Sequence, residues 1–335
     1  MSASRPPRPP PAGAHAPTAP APPGAPAAAP AASWRDAVAA AVRGEAVRDA
    51  PLAPRTSIRV GGPADLLVRP ADREDLATLL HACALRGVPV HPLGGGANLL
   101  VADRGVRGVV MRLPADLGPE SADGERLVLS AGAPTGRLVQ RAHELGLVGC
   151  EFIAGIPGTL GGAVAMNAGT RIGEMKDVVE RVEVASPGGL SWIDAAALGF
   201  AYRTCRLPAG AVVSRVSFRL RHGDVAASRA AMDADKDARR RSQPLTQPTW
   251  GSTFRNPPGD FAGRLIEAVG LKGFRVGGAM WSEVHANFVV NISGATARDC
   301  LTLIHLAREL VRERFGVELE LEVRLLGEFA ADEVP

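Results

Sequence analysis

Cysteine is scarce. The four present, Cys83, Cys150, Cys205 and Cys300, lie far apart and form no CxxC pair, which leaves neither a disulfide framework nor metal-ligand spacing. They read as reduced thiols in a reducing compartment. No apolar run approaches the ~20 residues that a membrane-spanning helix needs. The N-terminus has arginines but not the apolar core of a signal peptide, so the expected location is cytoplasmic. Net charge is small as well: 38 Lys+Arg against 35 Asp+Glu gives +3, too little to argue for nucleic acid or an anionic membrane surface as partner. No repeat occurs at a solenoid period. What remains is a small-molecule ligand, and an anionic one is allowed because local charge decides that.

With 46% hydrophobic and 22% charged residues, the composition is globular and the length suits two or three domains. Residues 3–30 are the exception. Eleven prolines without a Leu, Ile, Val or aromatic residue leave nothing to bury. A disordered, partly polyproline-II tail is expected there, with a PxxP ligand role as the alternative. From Ser33 onward strands and helices mix. Asp72 is placed to cap a helix with Leu76, Leu79, Leu80 and Cys83 on one face, stopped by Gly87. Strands are expected at 88–93, 109–113, 126–132, 180–186, 211–220 and 287–292, and helices at 135–145, 225–242 and near 261–269. A long helix opens on the capping box Thr296-x-x-Asp299 and stops at Gly316. ELELEVRLLG (318–327) alternates as a final strand. The mixture predicts α+β modules rather than one doubly wound sheet.

Two glycine-rich segments carry the chemistry. LGGGANLLV (93–101) follows a strand, and its consecutive glycines let backbone N–H groups approach a phosphate with no Cβ in the way. It lacks the third glycine of the Rossmann pattern and the Gly-Lys-Ser/Thr of a P-loop. A plain strand-to-strand turn explains it equally well. GIPGTLGGAVAMNAG (155–169) has five glycines in fifteen residues, interleaved with Ile, Leu, Val and Met. An interior Gly costs ~1 kcal/mol against Ala in a helix. That density therefore points to backbone wrapped against a bulky ligand rather than to a helix or a polar linker. Two such cradles fit one elongated dinucleotide held between two lobes.

These segments and five others, RTSIRVGGPAD (55–65), AYRTC (201–205), GSTFRNPPG (251–259), GFRVGGAMWSEVHANFVVN (273–291) and LEVRLLGE (321–328), occur in the order found in UDP-N-acetylenolpyruvoylglucosamine reductases. The chain resembles that family over roughly residues 52–328. The resemblance implies a vanillyl-alcohol-oxidase-like FAD-binding fold: a tail over 1–32, FAD-binding α/β subdomains over 33–113 and 114–222, and an α+β substrate-binding domain over 223–330. It implies non-covalent FAD, held by Gly94, Gly95, Gly96, Ala97, Asn98 and Leu99 and by Gly155, Ile156, Pro157, Gly158, Thr159, Gly161, Gly162, Asn167, Ala168 and Gly169. NADPH is the implied reductant, and a monomer the implied state. The implied reaction takes UDP-N-acetylglucosamine enolpyruvate to UDP-N-acetylmuramate for peptidoglycan.

Reduction of such a substrate is conjugate addition to an unsaturated carboxylate. Hydride goes to the terminal carbon, negative charge collects on the carboxylate, and the adjacent carbon needs a proton. By the resemblance Arg203 clamps the carboxylate, its guanidinium offering two parallel donors. Glu322 assists when held protonated in a partly dry pocket. Ser252 donates the proton, an act its neighbours' charge supports. Tyr202, Asn256, His285 and Arg324 match positions near the substrate.

Taken without the family, each residue has a plainer account. Ser252 is a loop residue and Arg203 a surface one. Glu322 is a solvent-facing carboxylate sharing parity with Glu318 and Glu320, Arg324 is its partner on that face, and His285 is a satisfied structural histidine. Arg239-Arg240-Arg241 reads as a solvated helix end favoured by the dipole, with a diphosphate contact as the alternative. Two departures from the family stand out. Cys205 replaces the usual Ser, a weaker hydrogen-bond donor. Only 48 residues separate Arg203 from Ser252 and Tyr202 is the sole tyrosine, so the inserted loop with a substrate-covering tyrosine is absent. Two other classes stay open. One is an alcohol oxidase on the same scaffold, although His81 and His91 stand in no attachment context for a covalent flavin. The other is a nucleotide-binding protein without chemistry.

Overall fold

Local signals place the helices. Asp72 caps the Arg73–Ala84 helix by accepting from the Asp75 N–H at 2.9 Å, and Leu76, Leu79, Leu80 and Cys83 fall on its buried face. Thr296 and Asp299 form the reciprocal capping box of the Ala297–Phe315 helix, and Gly316 ends it at φ 66°. The computed structural model describes residues 33–330; the expected Pro/Ala-rich tail lies outside them.

Three sheets of four or five strands follow in chain order among the described residues. The first runs Glu45–Pro51, Pro63–Arg69, Val106–Met111, Val90–Pro92, its last three strands parallel. The second is antiparallel throughout and runs Gly189–Asp194, Val179–Ser186, Val212–Arg219, Arg126–Ser130, Ser121–Asp123. The third, also antiparallel, runs Thr249–Ser252, Phe288–Asn291, Ala279–Trp281, Arg275–Val276. Each has its own core. The Arg73–Ala84 helix packs Leu76 and Leu79 with Leu66 and Val109 of the first sheet. Leu138 and Leu160 pack with Val182, Val216 and Phe218 of the second, and the long helix sets Cys300, Ile304, Ala307 and Val311 against Trp281 and Val289 of the third. Side chains of this size contribute about 1.5–3 kcal/mol each when fully buried, which is why the amphipathic pattern decides the packing.

Two expectations are corrected. The stretch 318–327 is not one strand. Only Arg324–Leu326 pairs, in parallel with Leu99–Val101, and Leu321 makes a lone bridge to Phe254. The glycine-rich run contains a short helix, Leu160–Ala165, which passes through Gly161 and Gly162. Close packing explains it: a Cβ on Gly161 would lie 3.0 Å from the Cβ of Ala131, so glycine lets the helix lie on the strand below at little cost in contact distance.

Candidate active site

The turn at 94–98 and the segment 156–162 meet on one cleft of about 790 Å³. They touch through bare backbone. A Cβ on Gly95 would fall 2.5 Å from the Gly158 Cα, and one on Gly94 would fall 2.6 Å from the Thr159 Oγ1. Gly96, at φ 64°, passes so near Arg55 that a Cβ would sit 2.2 Å from its carbonyl oxygen. The second segment is tied to its sheet by Thr135 N–H donating to the Gly158 oxygen (3.2 Å) and Gly161 N–H to the Ala131 oxygen (2.8 Å). Among the described residues, the N–H groups of Gly94, Gly95, Gly96, Ala97 and Asn98 have no main-chain acceptor. A wall of unpaired N–H groups, three of them on glycine, suits a diphosphate. Ala97, Asn98, Leu99, Ile156, Pro157, Ala168 and Gly169 line the same cleft, so the residues present fit an FAD.

Gly155 and Asn167 do not line it. Asn167 is fully buried at φ 42°, and its amide is committed to protein. Its Nδ2 donates to Glu174 Oε2 (2.8 Å) and the Ala201 oxygen (3.1 Å), and its Oδ1 accepts from the Lys176 N–H (2.9 Å). It anchors the turn bearing Arg203.

Ala201 and Thr204 close that turn with reciprocal N–H to oxygen bonds of 3.1 Å each. Arg203 occupies it at φ 57°, a left-handed conformation that costs a side-chain-bearing residue roughly 1–3 kcal/mol and aims it into the cleft. Its Nε donates to Glu322 Oε1 at 3.0 Å, and its guanidinium carbon lies 5.2 Å from the Tyr202 ring centroid. Glu322 is not solvent-facing, as strand parity would have it. Its N–H donates to the Thr253 oxygen (2.9 Å) and its own oxygen accepts from Asn98 Nδ2 (2.9 Å), so the chain turns the side chain inward, where 16% stays exposed. Burial raises its pKa above the ordinary carboxylate value, against the pull of Arg203.

The sign of that shift predicts a pH dependence. Around and below pH 4.5, the ordinary value, wild type and Glu322→Gln should melt alike, since both then carry a neutral group. As pH rises through the raised pKa, wild type should lose stability relative to the variant, because it alone acquires a buried charge. Melting curves from pH 4 to 8 check this; a gap moving the other way would mean that Arg203 outweighs burial.

Ser252 ends the Thr249–Ser252 strand opposite Phe288 and lines the cleft with Arg203 and Glu322. Its position is set by Asn287, a residue the sequence did not single out. The Asn287 oxygen accepts from the Thr253 N–H (2.8 Å), while its side chain accepts from the Phe254 N–H (3.0 Å) and donates to the Phe254 oxygen (2.8 Å). Arg324 also lines the cleft, its Nε donating to Met166 Sδ at 3.0 Å. Arg239 is not a solvated helix end: it turns into the cleft, while Arg240 and Arg241 point outward. Cys205 is half-buried, and burial pushes its thiol up to about 11.

Three matched positions lie off the cleft. Tyr202 is half exposed beside Arg203. Asn256 caps a helix, its Oδ1 accepting from the Ala262 N–H at 3.1 Å. His285 packs at a tilt against Phe288, with centroids 4.8 Å apart and ring planes 55° apart, and accepts from the Asn287 N–H at 3.2 Å. Each of those side chains has a partner of its own in the ligand-free chain. Among the described residues no group of three or more His, Cys, Asp or Glu is placed to hold a metal, and no helix is long and apolar enough to cross a membrane.

The FAD binding domain family matches residues 64–192, and the C-terminal domain of UDP-N-acetylenolpyruvoylglucosamine reductase matches residues 243–326. A UDP-N-acetylenolpyruvoylglucosamine reductase of Anaeromyxobacter sp. strain Fw109-5 is 69% identical over 301 residues, 90% of this chain and 95% of the relative. The chain belongs to the UDP-N-acetylenolpyruvoylglucosamine reductase family. Its Myxococcus xanthus relative is 55% identical over 83% of this chain and 91% of the relative. The crystal structure of the Thermus caldophilus reductase superposes with a TM-score of 0.73 at 40% identity, covering 85% of this chain and 99% of that one. The fold is thus the α+β, vanillyl-alcohol-oxidase-like FAD-binding type with an added C-terminal domain, and this member of the reductase family is an FAD-dependent oxidoreductase with NADPH as reductant.

Proposed function

We propose that the cleft reduces UDP-N-acetylglucosamine enolpyruvate to UDP-N-acetylmuramate, a step of peptidoglycan precursor synthesis, with Arg203, Ser252 and Glu322 as its catalytic residues. The observation that carries this reading is the 3.0 Å Arg203–Glu322 pair in the cleft that Ser252 shares with both glycine turns. Bound FAD would supply the redox chemistry that carries a hydride from NADPH to the enolpyruvyl double bond.

The chain's own groups do the rest. Arg203 has its Nε committed to Glu322, which leaves its terminal N–H groups to take the substrate carboxylate and the charge that grows there. Glu322, its pKa raised by burial, orients Arg203 and in its protonated form donates to the same developing charge. Ser252 Oγ–H supplies the proton to the carbon bearing the carboxylate. Arg324, loosely held by a sulfur acceptor, is a second cation for the substrate. The unpaired N–H groups of 94–98 and the backbone of 156–162 would hold the cofactor's diphosphate. Residues 33–113, 114–222 and 223–330 each contain one large sheet, which supports treating them as two cofactor subdomains and one substrate domain. One chain completes the proposed catalytic set, so a monomer would suffice, and a cytoplasmic location goes with the proposed reaction because its nucleotide precursors are there.

The test is NADPH oxidation by the yellow holoprotein. Oxidation should depend on the enolpyruvyl sugar nucleotide. NADPH consumption without it, with peroxide formed, would favour an oxidase, and a colourless protein that FAD cannot reconstitute would exclude both.

A further inference from the structure

Position 167 calls for glycine, and the chain has asparagine there. The Leu160–Ala165 helix ends in a pair of bonds: the Asn167 N–H donates to the Val164 oxygen at 3.0 Å, and the Ala168 N–H to the Ala163 oxygen at 2.8 Å. That closure needs a left-handed residue just past the helix, and glycine is the usual one because it has no Cβ to clash. The Ala297–Phe315 helix ends in this way on Gly316. At 167 a side-chain-bearing residue takes the conformation instead, at φ 42° and fully buried. What offsets the strain is the amide, whose three bonds all reach beyond its own helix. Nδ2 donates to Glu174 Oε2 and to the Ala201 oxygen, and Oδ1 accepts from the Lys176 N–H. Glu174 is held in turn by an ion pair with Lys176. The Ala201 oxygen also accepts from the Thr204 N–H at 3.1 Å, so two donors use both of its lone pairs and fix that carbonyl from two sides. Two residues further on stands Arg203, itself left-handed at φ 57°. Among the described residues only four that bear side chains have a positive φ, and two of them stand at the two ends of this linkage. One strained residue holds the other.

We propose that Asn167 is a positioning residue for the reduction: the bond it donates to the Ala201 oxygen keeps Arg203 in the left-handed conformation from which its guanidinium reaches Glu322 and the substrate carboxylate. The inference rests on the proposed function for the role of Arg203. Without that bond the turn keeps only its own Ala201–Thr204 bridge. Arg203 then relaxes toward the right-handed basin that a residue with a Cβ prefers, and its side chain swings away from Glu322. Asn167 acts through Arg203 and not on the flavin, although its neighbours Met166, Ala168 and Gly169 all line the cleft.

Asn167→Gly and Asn167→Asp test this in the FAD-loaded protein, by stopped-flow measurement of the two half-reactions and by fluorescence titration with FAD. Both variants place at 167 a residue that tolerates the left-handed region. Glycine deletes the amide; aspartate keeps its shape but turns an oxygen toward the Ala201 oxygen. Each should slow flavin-to-substrate transfer about ten- to a hundredfold, the order of loss for a ~1 Å displacement of a positioned group. FAD affinity and NADPH-to-flavin transfer should stay at wild-type values. In an Arg203→Lys background the same substitutions should cost less than about threefold more, because the group they position is already gone. Asn167→Asp at the wild-type rate would show that the donated bond does not hold the turn. Equal losses with and without Arg203 would show that Asn167 does not act through it. Weakened FAD binding would make Asn167 a cofactor residue, and variants that do not fold would make it a residue of the fold; either result overturns the assignment. Arg203→Lys as fast as wild type, or wild-type holoprotein inert toward the enolpyruvyl sugar nucleotide, would sink the proposed function and this inference with it.

Discussion

Ser252→Ala should leave NADPH-to-flavin transfer at the wild-type rate and slow flavin-to-substrate transfer by ~10²-fold or more, the usual contribution of a positioned general acid. The substitution is clean because little of the local structure depends on the hydroxyl. The residue is placed by its strand opposite Phe288 and by the Asn287 bonds to Thr253 and Phe254, and the Ser252 side chain makes none of these. Arg203 and Glu322 keep their 3.0 Å pair, so carboxylate binding should persist while protonation fails. Stopped-flow measurement of the two half-reactions separates these effects. Slower flavin reduction with an unchanged second half would show that Ser252 is not the proton donor.

Gly95→Ala should yield a protein that purifies without flavin. The new Cβ would meet the Gly158 Cα at 2.5 Å and its carbonyl carbon at 3.2 Å, and backbone atoms cannot rotate away as a side-chain tip can. The two turns would have to part, and a displacement of about 1 Å at a positioning element can cost ~10²-fold. Absorbance near the flavin band and fluorescence titration with FAD measure the loss. Gly136→Ala, in the first turn of the Thr135–Glu144 helix, is the matched control: a Cβ there meets nothing within 4 Å. Stoichiometric flavin of wild-type affinity in Gly95→Ala would show that contact between the turns is dispensable.

Much of the fold was legible because its signals are local. Asp72, the Thr296–Asp299 box and Gly316 state where helices begin and end, and 2.0 or 3.6 residue periods state which faces are buried. The glycine turns were legible as ligand cradles for the same reason, since bare backbone is a property of residue type. Parity failed at Glu322 because it presumes an uninterrupted strand, and here hydrogen bonds to Thr253 and Asn98 bend the chain before pairing begins at Arg324. Position in a motif says nothing about the local partners of Asn256 and His285, which are a helix end and a neighbouring N–H.

By itself the sequence determined where the capped helices begin or end, at Asp72, Thr296 and Gly316, the two glycine turns, and the residue types that conjugate reduction needs. Only the tertiary structure decided that Arg203, Ser252 and Glu322 share a cleft and that Asn167 and Asn287 serve as braces. Those are matters of long-range pairing and burial, set by which surfaces three separate cores bring together, and no local pattern encodes them.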